Sequence, residues 1–233
     1  MLSLKSEFKL RDRGFKDTLV LVPGWATDWR IFEGLELDYN YLLVTKLNIL
    51  NFSQQLFEQL EQLKISKVSV LGFSLGGFLA AEFAAAHPEK IGKLFLLGVR
   101  KRYDPQALES IKRGILAAQQ PWLYKFYLNC FARADKQGLD WFRKHLLNDY
   151  LDKLDLSEII QGLDYLADHA LHPKTLIKIK EIRMFHGQDD LIAPVKEVLE
   201  MQIDLPQAKI TLLADRGHIC FLNHDFRERF YSA

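Results

Sequence analysis

Only two cysteines, Cys130 and Cys220, occur in 233 residues, too few and too far apart in sequence for a disulfide framework. That scarcity fits a reducing compartment, and the chain is expected to be cytoplasmic. Long apolar runs are lacking too. The most apolar stretch, LGGFLAAEFAAA at 75–86, carries Glu82 and is too short for a bilayer, which takes about 20 apolar residues. The first residues, MLSLKSEFKLRDRGFKD, have neither an apolar core nor a small-residue cleavage site, so no secretory signal is expected there. Excess charge of either sign is missing: 31 basic residues against 30 acidic leave +1, which argues against nucleic acid as a partner. There is no internal repeat and no low-complexity segment, so neither a solenoid nor a disordered tail is indicated.

What is present is the composition of an ordinary globular domain, 48% hydrophobic and 26% charged. Six short runs read as strands: TLVLV (18–22), YLLVT (41–45), KVSVLGF (67–73), KLFLLG (93–98), IRMFHG (182–187) and KITLLA (209–214). Helical spacing separates most of them, as in Phe52, Leu56, Leu60 and Leu63. Near-continuous apolar strands alternating with helices predict a mostly parallel sheet covered on both faces. The rhythm breaks over 100–175, which lacks strand candidates and is rich in large aromatics, including Trp122, Phe126, Phe131 and Phe142. The expected organisation is a core of 1–99 and 176–233, with residues 100–175 forming a helical cap.

The strongest local signal is Gly72-Phe73-Ser74-Leu75-Gly76-Gly77, which ends one strand and opens the next helix. A serine on so tight a turn needs small residues on either side, and the turn lifts its hydroxyl clear of the sheet. Ser74 is therefore the candidate nucleophile. The N–H of Leu75, at a helix N-terminus, is a candidate oxyanion donor. A serine hydroxyl needs a base. Of seven histidines His218 is best placed, beyond the strand KITLLA on the turn Asp215-Arg216-Gly217. The loop after IRMFHG offers two adjacent carboxylates, Asp189 and Asp190, of which one can orient the imidazole. The turn Val22-Pro23-Gly24-Trp25 offers the N–H of Trp25 as a second oxyanion donor. Cys130, in an aromatic helical stretch, reads as a small core hydrophobe, and Cys220 as a neighbour of the base.

VPGW (22–25), GFSLGG (72–77), GQDDLIAP (187–194) and GH (217–218) resemble the four motifs of α/β-hydrolases, in order. In that superfamily the acid follows a glycine by three positions and precedes a proline by four. The resemblance thus selects Asp190, between Gly187 and Pro194, and implies the α/β-hydrolase fold with its cap inserted after the sixth strand of the family's count. It implies a Ser74–His218–Asp190 triad working on a carboxylic ester, with no metal and no cofactor. Within the superfamily, LVLVPGW, GFSLGGFLAAEFAAAHPEKI and GLDYLADHAL (162–171) look most like the pimeloyl-acyl-carrier-protein methyl ester esterases of biotin synthesis. Thioester cleavage, carbon–carbon hydrolysis or a small-molecule esterase would use the same triad, and a non-catalytic ligand-binding protein the same fold. The chain departs from its relatives in Pro23 and Phe73, and its N-terminal hairpin is shortened.

Trp25, Phe73, Trp122, Phe126 and Phe142 are the expected substrate-binding side chains. Charge is divided within the cap: residues 100–147 carry ten basic side chains against four acidic, and residues 148–173 one against six. An acidic acyl carrier protein would be drawn to the positive half, with Arg133, Arg143 and Lys144 as docking residues. The expected partner is an ester substrate, either small or bound to such a carrier. The plainer expectation is two solvated faces that partly pair with each other.

Overall fold

A computed structural model describes residues 5–232. Strands β2 (Thr18–Val22), β3 (Asn40–Lys46), β4 (Val68–Phe73), β5 (Ile91–Leu97), β6 (Ile182–Gly187) and β7 (Lys209–Leu213) coincide with the six apolar runs to within two residues. They pair in parallel in the order β3-β2-β4-β5-β6-β7. β2 and β4 sit at the centre, and their apolar side chains are almost wholly buried because helices cover both faces. Helix α1 (Phe52–Gln62) buries a single stripe, Phe52, Leu56 and Leu60. Helix α2 (Leu75–Ala86) is apolar on nearly every side and lies deeper.

A further strand, β1 (Glu7–Arg11), pairs antiparallel with β3 at the sheet edge and is not among the six runs read as strands. Its residues are charged and mostly exposed, so no alternation of buried and polar positions betrays it. A short charged edge strand also resists pairing with other chains. Its one apolar anchor, Phe8, meets Phe52 of α1 at 6.3 Å between ring centroids.

Between β5 and β6 lie α3 (Pro105–Ala117), α4 (Gln119–Asn129), α5 (Lys136–Phe142), α6 (Asn148–Lys153) and α7 (Leu156–Asp168). Asp104, Asp135 and Asp155 start α3, α5 and α7 by accepting backbone N–H bonds from Gln106, Gly138 and Ser157. The insertion has its own aromatic centre: the Phe142 ring lies 5.2 Å from Tyr127, 5.5 Å from Phe131 and 5.9 Å from Tyr150. Several hydrogen bonds tie it to the loop after β2, among them one from the Tyr150 hydroxyl to the Asp28 carboxylate at 3.1 Å. The Trp25 indole donates to the Ile159 carbonyl at 2.8 Å, and the Tyr127 hydroxyl to the Ala26 carbonyl at 2.5 Å. Helices α8 (Val195–Asp204) and α9 (Phe226–Ser232) complete the described chain. Among the described residues no helix is long and apolar enough to cross a membrane.

Candidate active site

Ser74 stands between the last residue of β4 and the first of α2 at φ 53°, ψ −117°, a left-handed conformation that costs a non-glycine residue about 1–3 kcal/mol. The strain is held by close packing. A Cβ on Gly72 would lie 2.3 Å from the Gly76 carbonyl oxygen, and one on Gly76 would lie 2.2 Å from that of Val22. Small residues are therefore obligatory on both sides of the serine, and α2 starts directly against the loop after β2. Leu75 is the first residue of that helix, so its N–H has no intrahelical partner, and the loop opposite carries Trp25.

The Ser74 hydroxyl donates to Nε2 of His218 at 2.9 Å, and Nδ1–H of the same ring donates to Oδ2 of Asp190 at 2.8 Å. All three side chains are buried. The loops bearing the acid and the base run in contact, since a Cβ on Gly187 would lie 2.1 Å from the Gly217 carbonyl oxygen. Oδ1 of Asp190 accepts the backbone N–H groups of Ile192 and Ala193, each at 2.8 Å. Burial alone would push the Asp190 carboxyl up. The charge and hydrogen bond of His218, with smaller help from His186 and the Ala193 N–H, instead hold it below the usual carboxylate range. Asp189 is exposed, and its backbone N–H donates to the Arg216 carbonyl.

Ser74 and His218 open into a cavity of about 410 Å³ under the inserted helices. Trp25, Phe73, Trp122 and Phe126 are among the residues that line it. Trp25 meets Phe126 edge-on at 4.8 Å and Trp122 at 6.2 Å. Phe142 does not line it. Its ring is wholly buried in the aromatic centre of the insertion, because that side of α5 faces α4 and α6 rather than the sheet.

The sequence reading missed Tyr103, Ile111, Leu163, Leu166 and Ile192 in the wall. Burial pushes the Tyr103 hydroxyl up to about 12, so it stays protonated near neutral pH. Its signal was available: Arg100–Asp104 directly follows β5 at the carboxyl end of the sheet, where catalytic groups gather. Cys130 is buried in the cavity wall, whereas Cys220 is buried away from it.

Arg133, Arg143 and Lys144 are exposed and form no ion pair among the described residues. The two charged halves of the insertion do pair in part, through Lys112 and Asp164 at 2.6 Å. Asp149 of the acidic half is instead bound by Arg30 of the core, also at 2.6 Å.

A nucleophile elbow after a central parallel strand, with acid and base on the loops after the next two strands but one, defines the α/β-hydrolase fold, and the chain has that fold. A family model described as alpha/beta hydrolase fold matches residues 40–149. Among known proteins the chain is similar to a pimeloyl-[acyl-carrier protein] methyl ester esterase of Nitrosomonas europaea, 26% identical over 92% of both chains. It is also similar to a 2-hydroxy-6-oxononadienedioate/2-hydroxy-6-oxononatrienedioate hydrolase of Escherichia coli K12, 24% identical over 90% of this chain and 72% of the relative. Among solved structures it superposes on an esterase from Exiguobacterium antarcticum with TM-score 0.80 at 22% identity, covering 97% and 93% of the two chains. A bromoperoxidase from Bacillus anthracis matches with TM-score 0.83 at 20% identity over 97% and 95%. These structural likenesses bear on the fold.

Proposed function

We propose that the chain is a carboxylic ester hydrolase in which Ser74 is the nucleophile, His218 the general base and Asp190 the acid that orients it. One observation carries the reading: an unbroken relay of 2.9 and 2.8 Å from the Ser74 hydroxyl through His218 to Asp190, on the floor of an apolar cavity. Asp190 fixes the tautomer whose Nε2 is free to take the serine proton. Ser74 attacks the ester carbonyl as His218 removes that proton, and the N–H groups of Trp25 and Leu75 receive the negative oxygen. His218 then protonates the departing alcohol. A water, deprotonated by the same ring, attacks the acyl-enzyme to release the acid and restore Ser74.

Residues 100–175 act as a cap over the core of 1–99 and 176–233, and the chain works in the cytoplasm. The cavity suits an aliphatic acyl chain, and similarity to the Nitrosomonas europaea protein makes the methyl ester of pimeloyl-acyl carrier protein the leading substrate. A second reading, hydrolysis of a carbon–carbon bond, is favoured by the similarity to the Escherichia coli hydrolase. Fluorophosphonate labelling of wild type and Ser74→Ala tests the catalytic claim, and absence of label on wild type would leave only a ligand-binding protein. p-Nitrophenyl esters of increasing chain length, then a carrier-bound methyl ester, test the substrate. Activity on a vinylogous diketone acid and none on any ester would favour the second reading.

A further inference from the structure

His186 is the penultimate residue of β6, wholly buried, and takes no part in the relay just described. Its Nε2 lies 2.6 Å from the Ala193 carbonyl oxygen, so the ring donates there and carries its proton on Nε2. The same nitrogen lies 3.5 Å from Oδ2 of Asp190, the oxygen that accepts from His218. Ala193 in turn donates its own N–H to Oδ1 of Asp190. Ring, backbone and carboxylate thus close into a clamp across the turn 187–194. The other ring nitrogen, Nδ1, is buried with no hydrogen-bond partner. A phenylalanine or leucine would fill this space and spare the unmatched Nδ1, but would take away the donor to the Ala193 carbonyl, so packing alone does not account for a histidine.

We propose that His186 is a positioning residue for the catalytic acid. As a neutral Nε2–H donor it fixes the acid loop through Ala193 and leans the same N–H toward Oδ2. Asp190 is thereby held with that oxygen facing Nδ1 of His218. The titratable groups that face His186 are Asp190 on its own loop and His218 on the loop after β7. The buried environment keeps the ring neutral, since a second proton on Nδ1 would find no acceptor. Two imidazoles therefore address one carboxylate, and only His218 exchanges a proton during turnover. This inference rests on the hydrolase reading above.

The test compares His186→Gln, whose side-chain amide can still donate to Ala193, with His186→Phe, which fills the space without a donor. The rate of fluorophosphonate labelling is followed from pH 5 to pH 9, alongside kcat and KM on a p-nitrophenyl ester. The Phe variant is expected to label at least about tenfold more slowly, with kcat reduced in step, KM nearly unchanged and the acid limb of the pH profile displaced, as for other side chains that orient a reacting group. The Gln variant is expected to stay within about threefold of wild type. Equal impairment of both variants, a Gln variant worse than Phe, or a Phe variant like wild type at every pH overturns the proposal. Near-ultraviolet circular dichroism checks folding. If the Phe variant does not fold, the Gln variant decides alone, and a tenfold loss overturns the proposal. If wild type does not label at all, the hydrolase reading fails separately. The low-field Nδ1–H proton resonance of His218 then still tests the clamp, being expected in wild type and Gln and lost in Phe.

Discussion

Asp190 turns its carboxylate into the protein to within 2.8 Å of Nδ1 of His218, while Asp189, adjacent in the chain, faces solvent. Their amides should therefore behave differently. Asp190→Asn is expected to lower kcat by about 10⁴, since an amide cannot hold the imidazole in the required tautomer. Asp189→Asn should change kcat by less than about threefold. Steady-state hydrolysis of a p-nitrophenyl ester decides, and a reversed order would move the acid one residue.

The lowered Asp190 carboxyl predicts a pH-dependent contribution to stability. A folded-state pKa below the unfolded value means that the contribution is full above about pH 4, where the unfolded carboxyl is ionised, and is lost as pH falls through the folded value. Wild type should thus be more stable than Asp190→Asn near neutrality, and the gap should narrow below pH 4. Urea unfolding of both proteins between pH 3 and pH 7 measures this. A gap that widens in acid would contradict it.

Trp122 and Phe142 separate pocket from core. Trp122→Ala should raise KM for long-chain esters while changing the melting temperature little, because the ring is only partly buried and borders the cavity. Phe142→Ala should cost about 3–5 kcal/mol of stability, the usual penalty for emptying a buried aromatic site. Thermal melts and chain-length profiles of the two variants would reveal the difference.

Arg133, Arg143 and Lys144 are solvent-facing and form no ion pair among the described residues, and on the proposed function they would meet an acidic carrier. Reversing all three charges should raise KM for a carrier-bound methyl ester and spare a small p-nitrophenyl ester. The effect should fade with added salt, since exposed charges are screened beyond about 8 Å at physiological ionic strength. Equal loss on both substrates would point to damage of the helices, and no loss on either to a small-molecule esterase.

Gly162 of α7 bears on catalysis through packing. A Cβ there would lie 2.5 Å from Cδ1 of Trp25 and 3.4 Å from Cδ1 of Leu75, the two residues whose N–H groups are proposed to hold the oxyanion. Gly162→Ala should lower kcat by about tenfold or more with little change in KM, as when an oxyanion donor is misplaced. Gly114→Ala, whose Cβ would lie 2.5 Å from Trp122, should chiefly raise KM instead. Measuring both variants on one ester separates the effects.

The elbow and the six parallel strands were legible in the sequence because each rests on local chemistry: small residues at a turn too tight for a Cβ, and apolar runs that are buried on both faces in all but the edge strand β7. Asp190 needed the spacing of a known family, because local pattern alone left it level with Asp189. β1 escaped because an exposed edge strand has no burial to imprint on its residues. The lining of the cavity was legible only in part. Trp122 and Phe142 are both aromatics on helices, and which one faces Ser74 is fixed by how α4 and α5 pack. His186 looked like an ordinary buried strand residue, and its relation to Asp190 exists only once the loop folds back through Ala193.

The bonds from Trp25 to Ile159 and from Tyr127 to Ala26 bind the turn proposed to hold the oxyanion to two different helices of the insertion. A wholesale opening of that roof would pull the turn away from the serine, so access and catalysis cannot be had by swinging a door. Leu191, exposed at the edge of the cavity, is the large apolar lining residue most open to solvent. Cross-linking the insertion to that turn should therefore leave turnover of a small ester nearly unchanged, whereas a hinged lid would be stalled by it.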